Sequence, residues 1–202
     1  MTRARRRLGM FGGAFDPPHL AHVALARAAL EQLGLDELRI IPTGQAWHKA
    51  RALTAPEHRL AMAQLAFEDL PGAVVDGREL ARSGPTYTVD TLRELRREHP
   101  QAQLVLVIGA DQAQALRSWR ESEAIPGLAI ISIAERASPA ENAPRFDASH
   151  VPGGRWQPVE LPPMPVSATQ VRARVAAGQG IDHLVPASVA RYIDQHHLYQ
   201  PS

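Results

Sequence analysis

Apolar residues recur along this chain in two alternating rhythms, short unbroken runs and steps of three to four residues. Leu8 to Phe11 is too short for a helix and predicts a strand. Val23, Ala26, Leu30 and Leu33 then repeat at helical spacing. Leu38 to Pro42 predicts a second strand, closing a strand–helix–strand unit whose crossover is expected to be right-handed. Pro56 opens a helix predicted to run through Leu70, with Leu60, Ala63, Phe67 and Leu70 as its buried stripe. Ala73 to Asp76 predicts a short strand. Tyr87-Thr88 leads into a helix on which Val89, Leu92 and Leu95 share a face while Arg93, Glu94 and Arg97 stay wet. Leu104 to Ile108 is continuously apolar, as expected of a strand covered on both faces, and Leu128 to Ile133 predicts another, ending near Glu135-Arg136. Ser138 to Pro165 is rich in proline and glycine and reads as a surface excursion around a short edge strand near Val159. Ser167 is the expected cap of a final helical region, Ala168 to Ala177 and then Ala187 to His197. This alternation predicts an α/β fold with a doubly wound parallel sheet and a small C-terminal helical region. It also predicts a single domain over 1–202, with a core over 1–165 and a helical part over 166–202.

Composition narrows the functional classes. The 202 residues are 45% hydrophobic and 21% charged, ordinary for a globular protein, and the formal net charge is +1. So small a charge gives no whole-molecule field for nucleic acid, and Arg3, Arg5, Arg6 and Arg7 read as a solvated lead-in to the first strand. No apolar run approaches membrane-spanning length, and the start lacks the apolar centre of a signal peptide. Absence of cysteine excludes disulfides and thiol chemistry, and fits an expected cytoplasmic location. A homo-oligomer is left open.

The chemistry gathers at Gly12-Gly13-Ala14-Phe15-Asp16-Pro17-Pro18-His19-Leu20-Ala21-His22. Gly12 and Gly13 are expected to turn the backbone sharply and let it approach a ligand. Pro17-Pro18 stiffens the exit, and His19 and His22 fall in the first turn of a helix, where backbone N–H groups and the dipole favour an anion. Two imidazoles three apart, with no glutamate between them and no cysteine, argue against a zinc site of the H-E-x-x-H kind. The string describes a phosphate site. Ser167, Thr169 and Arg172 form a second oxyanion constellation: an N-cap hydroxyl, a first-turn hydroxyl and a guanidinium one turn on. Lys49 lies in a loop at the C-terminal edge of the predicted sheet, where open α/β folds bind ligands. Trp47 and Trp119 are polar-flanked aromatics suited to rim packing or stacking.

These segments resemble the nucleotidyltransferase superfamily with its HxGH and ISSTxxR signatures, in the form carried by bacterial-type nicotinate-mononucleotide adenylyltransferases. The departures are Ala21 for the glycine before the second histidine, Val166 and Ala168 in the second signature, and Ala46-Trp47 in a PPHK-like segment. The resemblance implies a Rossmann-like core and transfer of AMP from ATP to nicotinate mononucleotide, giving nicotinic acid adenine dinucleotide and pyrophosphate by direct in-line displacement. It implies His19, His22, Lys49 and Arg172 as catalytic groups. Gly12, Gly13, Phe15, Gly109, Asp111, Ile133, Arg136, Ser167 and Thr169 would serve ATP, with Asp111 on the ribose. Thr86, Tyr87, Thr88 and Trp119 would receive the mononucleotide, the tryptophan stacking on the pyridine ring. Mg²⁺ is expected to arrive on the phosphates of ATP, with no metal held by the protein alone and neither nucleic acid nor membrane as partner. Two other readings remain at this stage: another adenylyl- or cytidylyltransferase of the superfamily, or a non-catalytic nucleotide-binding regulator.

Overall fold

The computed structural model describes residues 5–45, 52–136, 151–154 and 156–201. Strand β1 (Arg7–Gly13) leads into α1 (Leu20–Gln32), β2 (Glu37–Pro42), α2 (Pro56–Phe67) and β3 (Ala73–Val75). Then come α3 (Thr88–Glu98), β4 (Gln103–Gly109), α4 (Ala110–Gln114), α5 (Ile125–Leu128) and β5 (Ile130–Arg136). After the excursion follow β6 (Gln157–Leu161), α6 (Ala168–Ala176) and α7 (Ala187–Gln195). All the strands are parallel, in the order β3-β2-β1-β4-β5-β6. The order reverses between β1 and β4, and the crevice at that switch point is where such sheets bind ligands.

Each face of the sheet carries a core. One unites β1, β2 and β4 residues with α1, α2 and the C-terminal helices, including Val171, Val189 and Ile193. The other packs Leu8, Met10, Leu104 and Leu106 against α3 and the segment from Ala113 to Ile125. Val105, Val107 and Ile40 are fully covered, which explains why those strands read as unbroken apolar runs. No helix among the described residues is long and apolar enough to cross a membrane.

Four expectations need correction. Strand β1 does not stop at Phe11: Gly12 and Gly13 remain extended and pair with Ile41 and Pro42. The turn falls instead at Phe15, in the left-handed region at φ 46, and Gly13 makes room for it, because a Cβ there would meet the Phe15 ring at 3.0 Å. Leu128 ends α5 rather than opening β5, which begins at Ile130. Helix α2 ends at Phe67, and its covered side is Arg59, Met62, Ala63, Ala66 and Phe67, with Leu60 only half-buried. Ala63, Phe67 and Leu70 are buried as expected, and Arg59 joins them because it finds buried carbonyl partners, which no apolar periodicity reveals. The edge strand expected near Val159 is β6, and Ser167 caps α6.

Candidate active site

The histidine turn is built by two nested contacts. His19 is the N-cap of α1 in extended conformation, and its backbone N–H donates to His22 Nδ1 at 3.1 Å. With Nδ1 accepting, the network assigns the His22 proton to Nε2. The two imidazoles stack with centroids 3.7 Å apart, and the Phe15 ring meets His22 edge-on at 5.1 Å. His19 is 7% exposed, and loss of water around it lowers its pKa to about 4. It is therefore neutral near neutral pH and offers an N–H dipole rather than a charge, which avoids two imidazolium rings face to face. Phe15 is 1% exposed and also packs edge-on against Phe11 and Phe67, so its side chain supports His22 and presents no stacking surface for a base. The first-turn N–H of Leu20 is tied to Leu184 O at 2.9 Å, so the helix start is less open than its sequence suggested.

Helix α6 meets this turn. Ser167 Oγ accepts the Gln170 N–H at 3.2 Å, closing the cap that its sequence position predicts. Arg172 donates through Nη2 to Thr169 Oγ1 at 3.1 Å and through Nη1 to Asp16 O at 2.7 Å. That second bond joins the two oxyanion constellations, 156 residues apart in sequence. Behind them lies Arg59, 2% exposed, donating Nε to Thr54 O at 2.9 Å and Nη1 to Ala14 O at 3.0 Å and Thr43 O at 2.8 Å. It clamps the carboxyl ends of β1 and β2 together. Burial pulls its pKa down while the Asp16 carboxylate opposes that shift.

A pocket opens beside the turn at the switch point. Met10 and Gly12 of β1 and Leu106 and Ile108 of β4 form its floor, and Thr86, Tyr87, Thr88, Trp119 and Arg120 are among its walls. Thr86 is buried, its N–H donating to Gln45 O at 3.2 Å, and Tyr87 is the extended N-cap of α3. Trp119 is half-buried after a single 3₁₀ turn, and the Arg120 guanidinium sits 4.7 Å from the centroid of the Tyr87 ring. Glu79 also borders the pocket at 5% exposure; burial raises its pKa, against hydrogen bonds including one from Thr91 Oγ1 at 2.7 Å. Gly44 admits no side chain, since a Cβ would lie 2.3 Å from Glu79 O.

The structure thus brings His19, His22, Ser167, Thr169 and Arg172 to one side and Thr86, Tyr87, Thr88 and Trp119 to the other, with Gly12 common to the β1 end of both. Gly109 caps α4 at the end of β4, and Asp111 lies exposed in the first turn. Ile133 is wholly buried in β5 next to Ile108, so only its backbone can meet a ligand, and Arg136 is the last residue of that strand. Lys49 lies outside the described residues. Arg59, Asp16, Tyr199, Glu79 and Arg120 are the polar groups that the sequence did not single out. Only Asp16 carried a usable signal, its place inside the glycine–proline turn.

The cytidylyltransferase-like family model matches residues 10–174. A probable nicotinate-nucleotide adenylyltransferase of Albidiferax ferrireducens is 54% identical over 195 residues, covering 96% of this chain and 98% of that protein. One from Streptomyces coelicolor is 41% identical over 190 residues, covering 94% and 98%. Among solved structures, a nicotinic acid mononucleotide adenylyltransferase of Plasmodium falciparum in complex with NaAD has the same fold. Its TM-score is 0.76 at 20% identity, over 96% of this chain and 97% of that one.

Proposed function

The chain belongs to the nicotinate-nucleotide adenylyltransferase group of the cytidylyltransferase-like family, and we propose that its two adjoining sites divide the reaction of that group between them. The enzyme transfers AMP from ATP to nicotinate mononucleotide, releasing pyrophosphate and forming nicotinic acid adenine dinucleotide. What carries the division of labour is the continuity at Gly12: the strand end that floors the pocket leads directly into the histidine turn. An acceptor seated in the pocket then presents its phosphate to a nucleotide held by α1 and α6.

The chemistry is a single in-line displacement. An acceptor phosphate oxygen, already ionised near neutral pH, attacks the α-phosphorus as the bond to the pyrophosphate oxygen breaks. No general base is needed, and a chain without cysteine offers no thiol nucleophile. Rate enhancement comes from positioning and from charge stabilisation at the transferring phosphoryl group. His22 donates from Nε2 to the oxygens where charge develops, and neutral His19 beneath it holds the ring in place. Arg172 and the hydroxyl of Thr169 neutralise the departing pyrophosphate, with Lys49 assigned the same task by its motif. Ser167 keeps the N-terminus of α6 aimed at the phosphates. Gly109 and Asp111, with the backbone at Ile133 and Arg136, line the adenosine side.

The pyridine ring lies against Trp119, and its carboxylate meets the backbone around Thr86, Tyr87 and Thr88 at the start of α3. Among the described residues no three His, Asp or Glu side chains converge as metal ligands. In this reading Mg²⁺ comes with ATP, held by phosphate and water oxygens, as suits its preference for them. We place the reaction in the cytoplasm, which a chain free of cysteine suits.

The test is pyrophosphate release from ATP and Mg²⁺ with nicotinate or nicotinamide mononucleotide as the acceptor. A strong preference for the nicotinate form is expected. Release with neither acceptor removes both the substrate and the role of the Thr86–Thr88 segment.

A further inference from the structure

Asp16 is 2% exposed, and its side chain makes no contact with the pocket. It is nonetheless where distant parts of the chain meet. Its Oδ1 accepts from the Tyr199 hydroxyl at 2.7 Å, its Oδ2 from the Thr54 N–H at 3.2 Å, and its carbonyl from Arg172 at 2.7 Å. Tyr199 comes from the last residues of the chain, 183 positions away. Arg59 lies alongside, holding the carbonyls of Ala14, Thr43 and Thr54.

The backbone on both sides of the Asp16–Tyr199 bond is unusual. Phe15, immediately before Asp16, has φ 46, and Tyr199 itself has φ 65, the left-handed region that residues with side chains seldom enter. Such conformations persist where the surroundings over-determine them, and they concentrate where geometry matters for function. Here one lies in the turn that delivers the histidines, and the other fixes the tail that grips the turn.

We propose that Tyr199 is a positioning residue for adenylyl transfer: through Asp16 it sets both the turn that carries His19 and His22 and the carbonyl that orients Arg172. This rests on the reading of the phosphate site given above. The hydroxyl donates to a buried carboxylate, so removing it takes one hydrogen bond from an acceptor in a place water does not readily reach, which costs more than the bond itself gained. Asp16 then relaxes, and its carbonyl and Arg172 move with it. The acceptor pocket, walled by Thr86 to Thr88 and Trp119, stays as it was.

The experiment is Tyr199→Phe, which keeps the ring and removes the hydroxyl, with its bond to Asp16 and its longer contact to Met62 Sδ at 4.0 Å, assayed by pyrophosphate release. Expected are a kcat lowered about tenfold or more, a raised KM for ATP, and a KM for nicotinate mononucleotide within twofold of the parent. Combined with Arg172→Lys, the effects are expected to be strongly non-additive, because both act on one geometry. A folded Tyr199→Phe enzyme with unchanged kcat, or full additivity with Arg172→Lys, overturns the proposal. If Tyr199→Phe does not fold, Asp16→Asn, whose single acceptor oxygen cannot accept from both the Tyr199 hydroxyl and the Thr54 N–H, must show the same pattern, and unchanged kcat there overturns it equally. A parent enzyme that releases no pyrophosphate with either mononucleotide refutes the functional reading itself, an outcome distinct from an active parent with an equally active Tyr199 variant.

Discussion

The histidine turn and the acceptor pocket share the end of β1 but are built in opposite ways. In the turn, the two imidazoles lie close together in sequence, His19 and His22 within one helical turn, while Arg172 and the supporting Arg59 and Tyr199 come from distant segments. In the pocket the relation is inverted. The wall itself is gathered from β1, the Thr43–Gly44 loop, Glu79, the start of α3, β4 and the Trp119 turn. A site that stabilises developing charge needs a few groups at fixed distance, which two helix N-termini joined by one hydrogen bond supply; a site that recognises a flat ring needs walls on several sides, which only several segments supply. Damage to the turn is therefore expected to appear in kcat and damage to the pocket in the KM of the acceptor.

His22→Ala is the sharpest way to break this contrast. Turnover is expected to fall at least ~10²-fold, the scale for losing one donor to developing charge, with the acceptor KM little changed. Unchanged turnover in a folded variant would falsify the role of the turn. On the pocket side, Gly44→Ala forces a Cβ to within 2.3 Å of a backbone oxygen. Chemical denaturation is expected to show a loss of about 1–3 kcal/mol, the usual cost of overpacking, and kinetics a raised acceptor KM. A variant as stable as the parent would mean that the Glu79 backbone yields freely.

The third prediction separates the regions by pH. The folded-state pKa of His19 is lowered from 6.5 to about 4, so the unfolded chain binds more protons between these values and stability falls as pH drops through that window. The loss is up to about 2 kcal/mol between pH 7 and 5, and a His19→Asn variant is expected to lose that part of the slope. If both proteins titrate in parallel, burial of the imidazole contributes nothing. The smallest effect is expected from Trp119→Ala: a rise of about tenfold in the KM for nicotinate mononucleotide, as for loss of one base–aromatic stack, and less for ATP. The reverse order of the two KM changes would move the stacking surface to the other substrate.

The sequence alone determined the alternation of strands and helices, the buried runs of β4 and β5, the cap at Ser167 and the spacing of the two signatures. Each of these is a local property: the periodicity of side chains on an element, or the hydrogen-bonding needs of a helix end. It misjudged where the chain turns, because a left-handed Phe15 beside an extended Gly13 depends on where the phenyl ring finds room. It placed Ala63, Phe67 and Leu70 correctly among the buried residues but missed Arg59 on the covered side of α2. An arginine is placed outside by every composition rule, and Arg59 is inside only because Ala14, Thr43 and Thr54 bring three carbonyls to it. The strand order, the bond from Arg172 to Asp16 across 156 positions, and the grip of Tyr199 on the same residue were decided by tertiary structure. They satisfy buried polar groups with partners from far along the chain, and no local pattern in a sequence records which distant segment will supply them.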